Sequence, residues 1–336
     1  MALEQKMLLA GDIGGTKTSL AIYSPESGPR FPLAERTFSS ADFPDLKKLV
    51  EEFLDEIDLV VEQASFGVAG PVLNNRVKIT NLDWWIDAGE LKNSLKLSQV
   101  HLLNDLVAIA AALPRLDDAD LITLIPGNPE PGGTIALIAP GTGLGEAYLT
   151  WDGVRYHPFG SEGGHSDFAP SSDLEFKLLQ YLRSQFGHVS CERVCSGSGI
   201  PNIYAFLKAG EYAEEPAWLA KKIARTGDPT PVIITAAQDQ NKICELCRLT
   251  LSTFISILGA EAGNLALKVL STGGVYLGGG IPPRVLSELK LGQFRKSFLG
   301  KGRMKDILQN IPVYVITNPK VGLLGAAYYG LDRWKA

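Results

Sequence analysis

Between Leu8 and Tyr23 an acid and a glycine turn stand between two apolar runs: Leu8 to Gly11, then Asp12, Gly14, Gly15, Thr16 and Lys17, then Ser19-Leu20-Ala21-Ile22. The alternation on either side of the glycines predicts a hairpin. Bare glycines at its turn let backbone N–H groups come close to an anion, because no Cβ intervenes. An acid beside them is out of place unless a cation lies between it and that anion. Asp12 is therefore a candidate Mg²⁺ ligand acting through water, with Thr16 and Lys17 as phosphate contacts. The same residues also make a tight hairpin turn with nothing bound. A second frame of this kind runs from Thr134 to Trp151, an apolar strand, the turn Gly141-Thr142-Gly143-Leu144-Gly145, and a further strand from Glu146. One glycine turn is weak evidence, but two on matching frames suggest related domains that offer N–H groups to one polyphosphate.

Other residues could complete such a site. Val100 to Leu103 is a short apolar strand ending in Asn104-Asp105, after which apolar residues continue at helical spacing. Side chains at the carboxyl ends of strands face the ligand crevice in α/β sheets, which makes Asp105 a candidate for chemistry; a plain helix N-cap is the alternative for either residue. Gly160 to Pro170 is a polar loop with Glu162 and His165, and Glu192 lies in a second polar stretch after Gly187-His188. Carboxylates and an imidazole can clamp sugar hydroxyls, each of which both donates and accepts, although singly such residues are more often loop or capping groups. Gly278-Gly279-Gly280 closes an apolar strand and could let an adenine ring lie flat against backbone. Trp84 and Trp85 read as packing or interface residues before they read as a platform for a sugar ring.

The elements that must position these residues are of mixed α/β type. Leu33–Phe38 can supply a third strand, Asp42 and Pro44 open an amphipathic helix with Leu46, Leu49, Val50 and Phe53 on one face, and Gln63–Val68 is a buried strand. Ile125–Gly133 reads as a surface connection, 172–185 as a helix, 239–270 as mostly helix with Gly259 and Gly263 at close packing or a kink. Ile311–Ile316 is a strand, followed by a small-residue helix start at Gly322. The chain has 336 residues, enough for two domains, and 45% hydrophobic with 21% charged residues, the balance of a soluble globular protein. A net charge of −5 leaves no electrostatic footprint for nucleic acid. No apolar run is expected to span a membrane and the N-terminus does not read as a signal peptide, so a cytoplasmic location is expected. Cys191, Cys195, Cys244 and Cys247 mimic a zinc spacing, yet the latter pair falls inside a helical pattern and not on a knuckle.

Together, Gly11-Asp12-Ile13-Gly14-Gly15-Thr16, Leu103-Asn104-Asp105, Gly141-Thr142-Gly143-Leu144-Gly145, Glu162-Gly163-Gly164-His165 through Pro170, and Gly187-His188-Val189-Ser190 resemble the bacterial glucokinases. Those belong to the actin, hsp70 and sugar kinase superfamily, and the likeness runs in order along nearly the whole chain. The resemblance implies a two-domain actin-like (ribonuclease H-like) α/β fold with a cleft. Its small domain would take residues 1–112, completed by 320–336, and its large domain 113–319. It implies Mg²⁺-dependent transfer from ATP to the 6-hydroxyl of D-glucose and a homodimer. Asp105 would be the catalytic base, and Asn104, Glu162, His165 and Glu192 glucose ligands with it. Gly11 to Lys17 and Gly141 to Gly143 would hold phosphates, Gly278 to Gly280 would border the nucleoside, and Asp12 would hold Mg²⁺. The cysteine cluster that follows the Gly-His pair in the related repressor and kinase group is missing, so no zinc is expected. Kinases for fructose, mannose or N-acetylmannosamine share this frame. A sugar-sensing regulator would need a DNA-binding segment ahead of Met7, and an actin-type ATPase would not need the cluster at Glu162 and His165.

Overall fold

The computed structural model describes residues 6–79 and 82–334. They form two compact units, one made of the chain up to Asp120, Arg155–Gly160 and the stretch from Asn318, the other of Leu121–Val154 and Ser161–Thr317. The first unit thus runs past the limit at 112 that the resemblance implies.

In the first unit β1 (Met7–Ile13) and β2 (Lys17–Tyr23) make the first hairpin, β3 (Ala34–Ser39) lies beside β2, and α1 (Leu46–Asp55) follows. The cap of α1 is Asp45, which accepts from Lys48 N, and not Asp42, which closes a preceding 3₁₀ turn. β4 (Val61–Val68), β5 (Arg76–Lys78), β6 (Trp85–Asp87), α2 (Ala88–Ser94), β7 (Gln99–Asn104) and α3 (Asp105–Ala112) come next. The sheet order is β3-β2-β1-β4-β7, with β1, β4 and β7 parallel. Of the paired tryptophans, Trp84 is buried and donates Nε1–H to Phe43 O at 3.2 Å, whereas Trp85 is exposed. Thr80 and Asn81 of that expected loop lie outside the described residues.

The second unit contains β8 (Leu121–Ile125), β9 (Ile135–Pro140) and β10 (Leu144–Trp151); β11 (Tyr156–Ser161) follows. Then come α4 (Asp173–Phe186), α5 (Gly199–Ala209), α6 (Ala217–Ile223), α7 (Thr230–Gln238) and α8 (Glu245–Val269). β12 (Gly274–Leu277), α9 (Leu286–Leu289), α10 (Gln293–Leu299), α11 (Lys305–Leu308) and β13 (Val313–Ile316) complete it. The ladder runs β10-β9-β12-β13-β8, and β8 pairs antiparallel with β13, so the apolar residues before the expected surface connection are a sheet edge.

α8 corrects one expectation. It is 25 residues long and its most apolar 18-residue stretch has a mean hydropathy of 1.2, enough by length and composition to cross a membrane, but 83% of that stretch is buried inside the protein. Phe254, Leu258, Ala262 and Ala266 belong to the core of this unit, and α8 is apolar on several faces because helices and sheet surround it. Gly259 and Gly263 mark close packing: a Cβ at either would run into the backbone of Phe294 or Phe298 in α10.

α12 (Val321–Trp334) returns to the first unit. Leu323, Ala326 and Ala327 pack on Ala10, Ala21 and Tyr23 of the hairpin. A Cβ at Gly325 would overlap the carbonyl of Ala108 in α3, so the two helices approach at a distance that no side chain allows. Gly325→Ala is expected to lower stability by about 2 kcal/mol, overpacking outweighing the better helix propensity of alanine. Thermal melting of the two proteins checks this, and an unchanged or raised midpoint would contradict the packing account.

Candidate active site

In the first unit three parallel strands end together. Asp12 stands opposite Gly67 and Ile13 opposite Val68, and Val68 is in turn opposite Asn104. Adjacent strands lie about 4.8 Å apart, which sets Asp12 and Asn104 about 10 Å apart along one carboxyl edge. That is the edge at which α/β sheets take their ligands.

Asp105 opens α3 there. Leu106 N–H lies 3.0 Å from Asn104 Oδ1 and 2.9 Å from Asp105 Oδ1, and Asn104 Nδ2 donates to Gly70 O at 3.1 Å. The capping and chemical readings are therefore compatible: Asn104 caps the helix and, in doing so, fixes the acid that follows it at the strand end. Burial, and after it the charge of Asp105, pushes the Asp12 carboxyl up to about 6. Two acids repelling one another at a half-buried edge form a donor set suited to a hard divalent cation. A Cβ on Gly322 would fall 2.8 Å from Asp12 Oδ2, so the positive end of α12 also faces this carboxylate.

The first turn is closed by Gly14 N–H donating to Lys17 O at 2.9 Å and is pinned from beneath by Ser40. Ser40 donates Oγ–H to Gly14 O at 2.8 Å and N–H to Thr16 O at 3.0 Å, and its Oγ is 3.0 Å from Thr18 Oγ1. Ser40 and Thr18 are buried while Thr16 and Lys17 are exposed, which leaves the latter pair available to a ligand. Gly11 lies inside β1, where a Cβ would come within 2.7 Å of Phe66 and 2.8 Å of Leu20, so its bare Cα serves packing.

In the second unit the remaining candidates gather around the β9–β10 hairpin. Gly141 N–H donates to Gly143 O at 2.9 Å, and Gly141 O and Thr142 O accept from Gly197 N–H and Ser198 N–H at 2.7 and 3.2 Å. β9 and β12 are parallel, with Leu277 opposite Ile138, so the loop Gly278–Gly280 leaves its strand beside the Gly141–Gly143 turn. Gly279 adopts φ +79° against Pro140 O, a conformation and an approach that favour glycine. Glu192 is directed at the same turn: its Oε2 accepts from Leu144 N–H at 2.9 Å. Glu162 precedes and His165 ends a 3₁₀ turn over Gly163–His165, both exposed, with Oε2 and Nε2 3.8 Å apart. Cys191 N–H donates to Ser166 O at 2.9 Å and Phe168 N–H to Val189 O at 2.9 Å, which fastens the Glu162–His165 loop to the segment carrying Glu192.

A sequence profile of the glucokinase family matches residues 9–332. Glucokinase from Nostoc punctiforme is 43% identical, with 96% of this chain and 98% of that one covered. Glucokinase from Synechocystis is 41% identical over 95% of this chain and 96% of its own. A crystal structure of glucokinase from an Antarctic psychrotroph superposes with a TM-score of 0.81 at 33% identity, over 97% of this chain and 99% of that one.

The chain belongs to the glucokinase family.

The two-domain actin-like fold expected from the resemblance is the fold of this glucokinase-family chain. Its sheet edges add residues that the motifs alone do not reveal. Ser40 comes from a turn before α1 and holds the first hairpin, and Ser196, whose Oγ donates to Glu192 O at 2.7 Å, steadies the segment behind the second. Neither stands out in the sequence, since serine before or after a turn is common. Among the described residues, no group of three or more His, Cys, Asp or Glu side chains is arranged to hold a metal ion. Mg²⁺ taken up with a nucleotide needs only one or two carboxylates, with water and phosphate supplying the rest. The four cysteines are buried and free. The Cys195 side chain and burial raise the Cys191 thiol well above its ordinary range, and burial and Cys244 do the same for Cys247, so both are thiols at neutral pH.

Proposed function

We propose that this protein transfers the γ-phosphoryl group of ATP to the 6-hydroxyl of D-glucose, with Asp105 as the base. The observation that carries the reading is the position of Asp105 at a strand end, fixed by Asn104, on the same sheet edge as Asp12. The names of the glucokinase relatives point to the sugar. Asp105 and Asn104 would take glucose hydroxyls together with Glu162, His165 and Glu192. The Gly14–Lys17 and Gly141–Gly143 turns would hold phosphate, and Gly278–Gly280 would border the nucleoside. Asp12 would hold Mg²⁺ through water, and that ion would neutralise phosphate charge. We further propose a homodimer, as the family resemblance implies, and a cytoplasmic location.

Phosphoryl transfer passes through a loose transition state, in which the proton of the attacking alcohol leaves late. A carboxylate need not be a strong base for this; it has to align the oxygen with the phosphorus. Most of the rate then comes from that alignment and from donors preset to meet charge on the phosphoryl oxygens. The hairpin amides supply such donors, and the Ser40 and Gly197 hydrogen bonds keep the turns from relaxing when charge develops.

Glu162→Gln and His165→Ala are each expected to raise the KM for glucose about tenfold, the loss of one hydrogen bond worth about 1.4 kcal/mol. Calorimetric titration with glucose in the absence of nucleotide checks the assignment, and unchanged affinity in both variants would remove this loop from the sugar site. The reading as a whole is tested by a coupled assay with ATP, Mg²⁺ and a panel of glucose, galactose, fructose and mannose. Glucose is expected to give the highest kcat/KM, and a higher value for another hexose would reassign the substrate.

A further inference from the structure

Glu146 is a buried acid that the proposed reaction does not use. It sits on β10, where strand alternation sends Leu144 and Glu146 to the same side. Only 2% of it is exposed, and Oε1 has no hydrogen-bond partner among the described residues. The other oxygen lies beneath the loop that carries Glu162 and His165: a Cβ at Gly163 would overlap Glu146 Oε2, and one at Gly164 would overlap Leu144 O. Both glycines let this loop rest directly on β10, so the side chain of Glu146 forms part of its floor.

Charged and titratable groups surround that floor. α8 contributes Glu261 and Lys268, with Glu261 Oε1 3.5 Å from Lys268 Nζ and Glu261 Oε2 accepting from Asn264 Nδ2 at 2.9 Å. Lys301, beyond α10, is engaged with Asn264 Oδ1 at 2.5 Å. Asn264 and Lys268 thus engage Glu261 and Lys301 engages Asn264, and among the described residues none of them gives Glu146 Oε1 a hydrogen bond. Cys191 and Cys195 stand on the segment before α5, and Cys191 feels both Glu261 and Glu146. From above come Glu162 and His165, both exposed. An unpaired carboxylate in this setting is costly, and a neutral carboxyl is not.

We propose that Glu146, in its protonated form, is a positioning residue for the hexose site: it supports the Gly163–His165 turn, and loss of its proton loosens the loop that presents Glu162 and His165. The identity of the hexose rests on the glucokinase reading, but the role of Glu146 does not. Burial, then Glu261, pushes the carboxyl up to about 7 against the weaker opposing effect of Lys268. The KM for glucose is accordingly expected to rise as pH passes through about 7, with kcat not following.

The test is kcat and KM for glucose between about pH 5.5 and pH 8.5 for the parent protein, Glu146→Gln and Glu146→Ala. Glutamine keeps the shape of the neutral acid, so this variant is expected to hold the parent's low-pH KM across the whole range. Alanine removes the floor and should raise KM about fivefold or more at every pH, with kcat less affected. A glutamine variant whose KM still climbs above neutrality, or whose defect lies in kcat, would overturn the proposal. If the parent phosphorylates no hexose, the reaction has been misread, and thermal melting of the same proteins decides the role of Glu146. The folded protein holds the Glu146 proton more tightly than the unfolded chain, so parent stability falls between about pH 4.5 and pH 7 relative to the glutamine variant. A melting difference that does not grow over that interval would overturn it on this second route.

Discussion

Asp105→Asn is expected to remove nearly all turnover while leaving glucose affinity within a few-fold. Asparagine has the same shape, can still sit behind the Asn104 cap at the start of α3, and can still hydrogen-bond a hydroxyl. It can no longer accept the proton that the attacking oxygen sheds. The loss of a positioned base is worth about 10²–10⁴ in rate, and the upper part of that range is expected here because the carboxylate also aligns the oxygen. Steady-state kinetics beside calorimetric glucose binding separates the two effects. A kcat near that of the parent would reject Asp105 as the base, and lost glucose binding with kcat preserved at saturation would make it a ligand only.

Asp12→Ala is expected to lower kcat/KM for Mg·ATP by about 10³, the scale of removing one preset electrostatic partner of the phosphates, with glucose affinity little changed. An unchanged dependence on Mg²⁺ concentration would contradict the role. The same residue predicts an opposite effect on the protein without nucleotide. Its carboxyl titrates at about 6 in the folded state against 3.8 ordinarily, because burial and Asp105 disfavour the charge. The folded state therefore binds this proton more tightly than the unfolded chain. Stability falls as pH rises from about 3.8 to about 6, and the penalty stays in full above that. Asp12→Asn is expected to melt above the parent at pH values over 6 and to match it below the lower limit. Gaining stability while losing Mg·ATP use is the mark of a group kept for function, and a variant that melts lower near neutrality would contradict this.

Several of these features are legible in the sequence for physical reasons. The two hairpins show because each sets a glycine turn between apolar runs of strand length, and the edge at Asn104-Asp105 shows because a strand pattern gives way there to a helical one. α8 is harder: surrounded by core, it presents no polar face by which amphipathic spacing could reveal its span. β8 is hidden for another reason, since Leu121–Ile125 gains its strand character from pairing with β13, far along the chain. The short helices α5 to α7 and α9 to α11 rest on packing against α8 and its neighbours more than on their own spacing. α1 starts at Leu46 behind an Asp45 cap and not at Asp42, which is taken up in the preceding 3₁₀ turn; two acids flank Pro44, and the sequence alone does not say which of them caps the helix.

Within the candidate site, the residues proposed to face a ligand are easier to read from the sequence than those that support them. Asp12, Thr16, Lys17 and Asp105 are of types whose presence at a turn or strand end calls for an explanation. Ser40 and Glu146 lie behind these turns, in contact with segments distant in sequence, and a single acid among the apolar residues of β10 is a faint signal. Glu192 shows the same limit from the other side: the sequence offers it as a sugar contact, and its bond to Leu144 N–H ties it to the second hairpin turn.

Phosphoryl transfer to glucose is tested most directly by following the phosphorus itself: phosphorus NMR of the parent protein with ATP, Mg²⁺ and glucose, beside the same mixture without sugar. The γ-phosphoryl group is expected to appear on the 6-oxygen of glucose, and ATP is expected to stay intact when sugar is omitted. Inorganic phosphate released at the same rate with and without glucose, or phosphate on another hydroxyl, would contradict it.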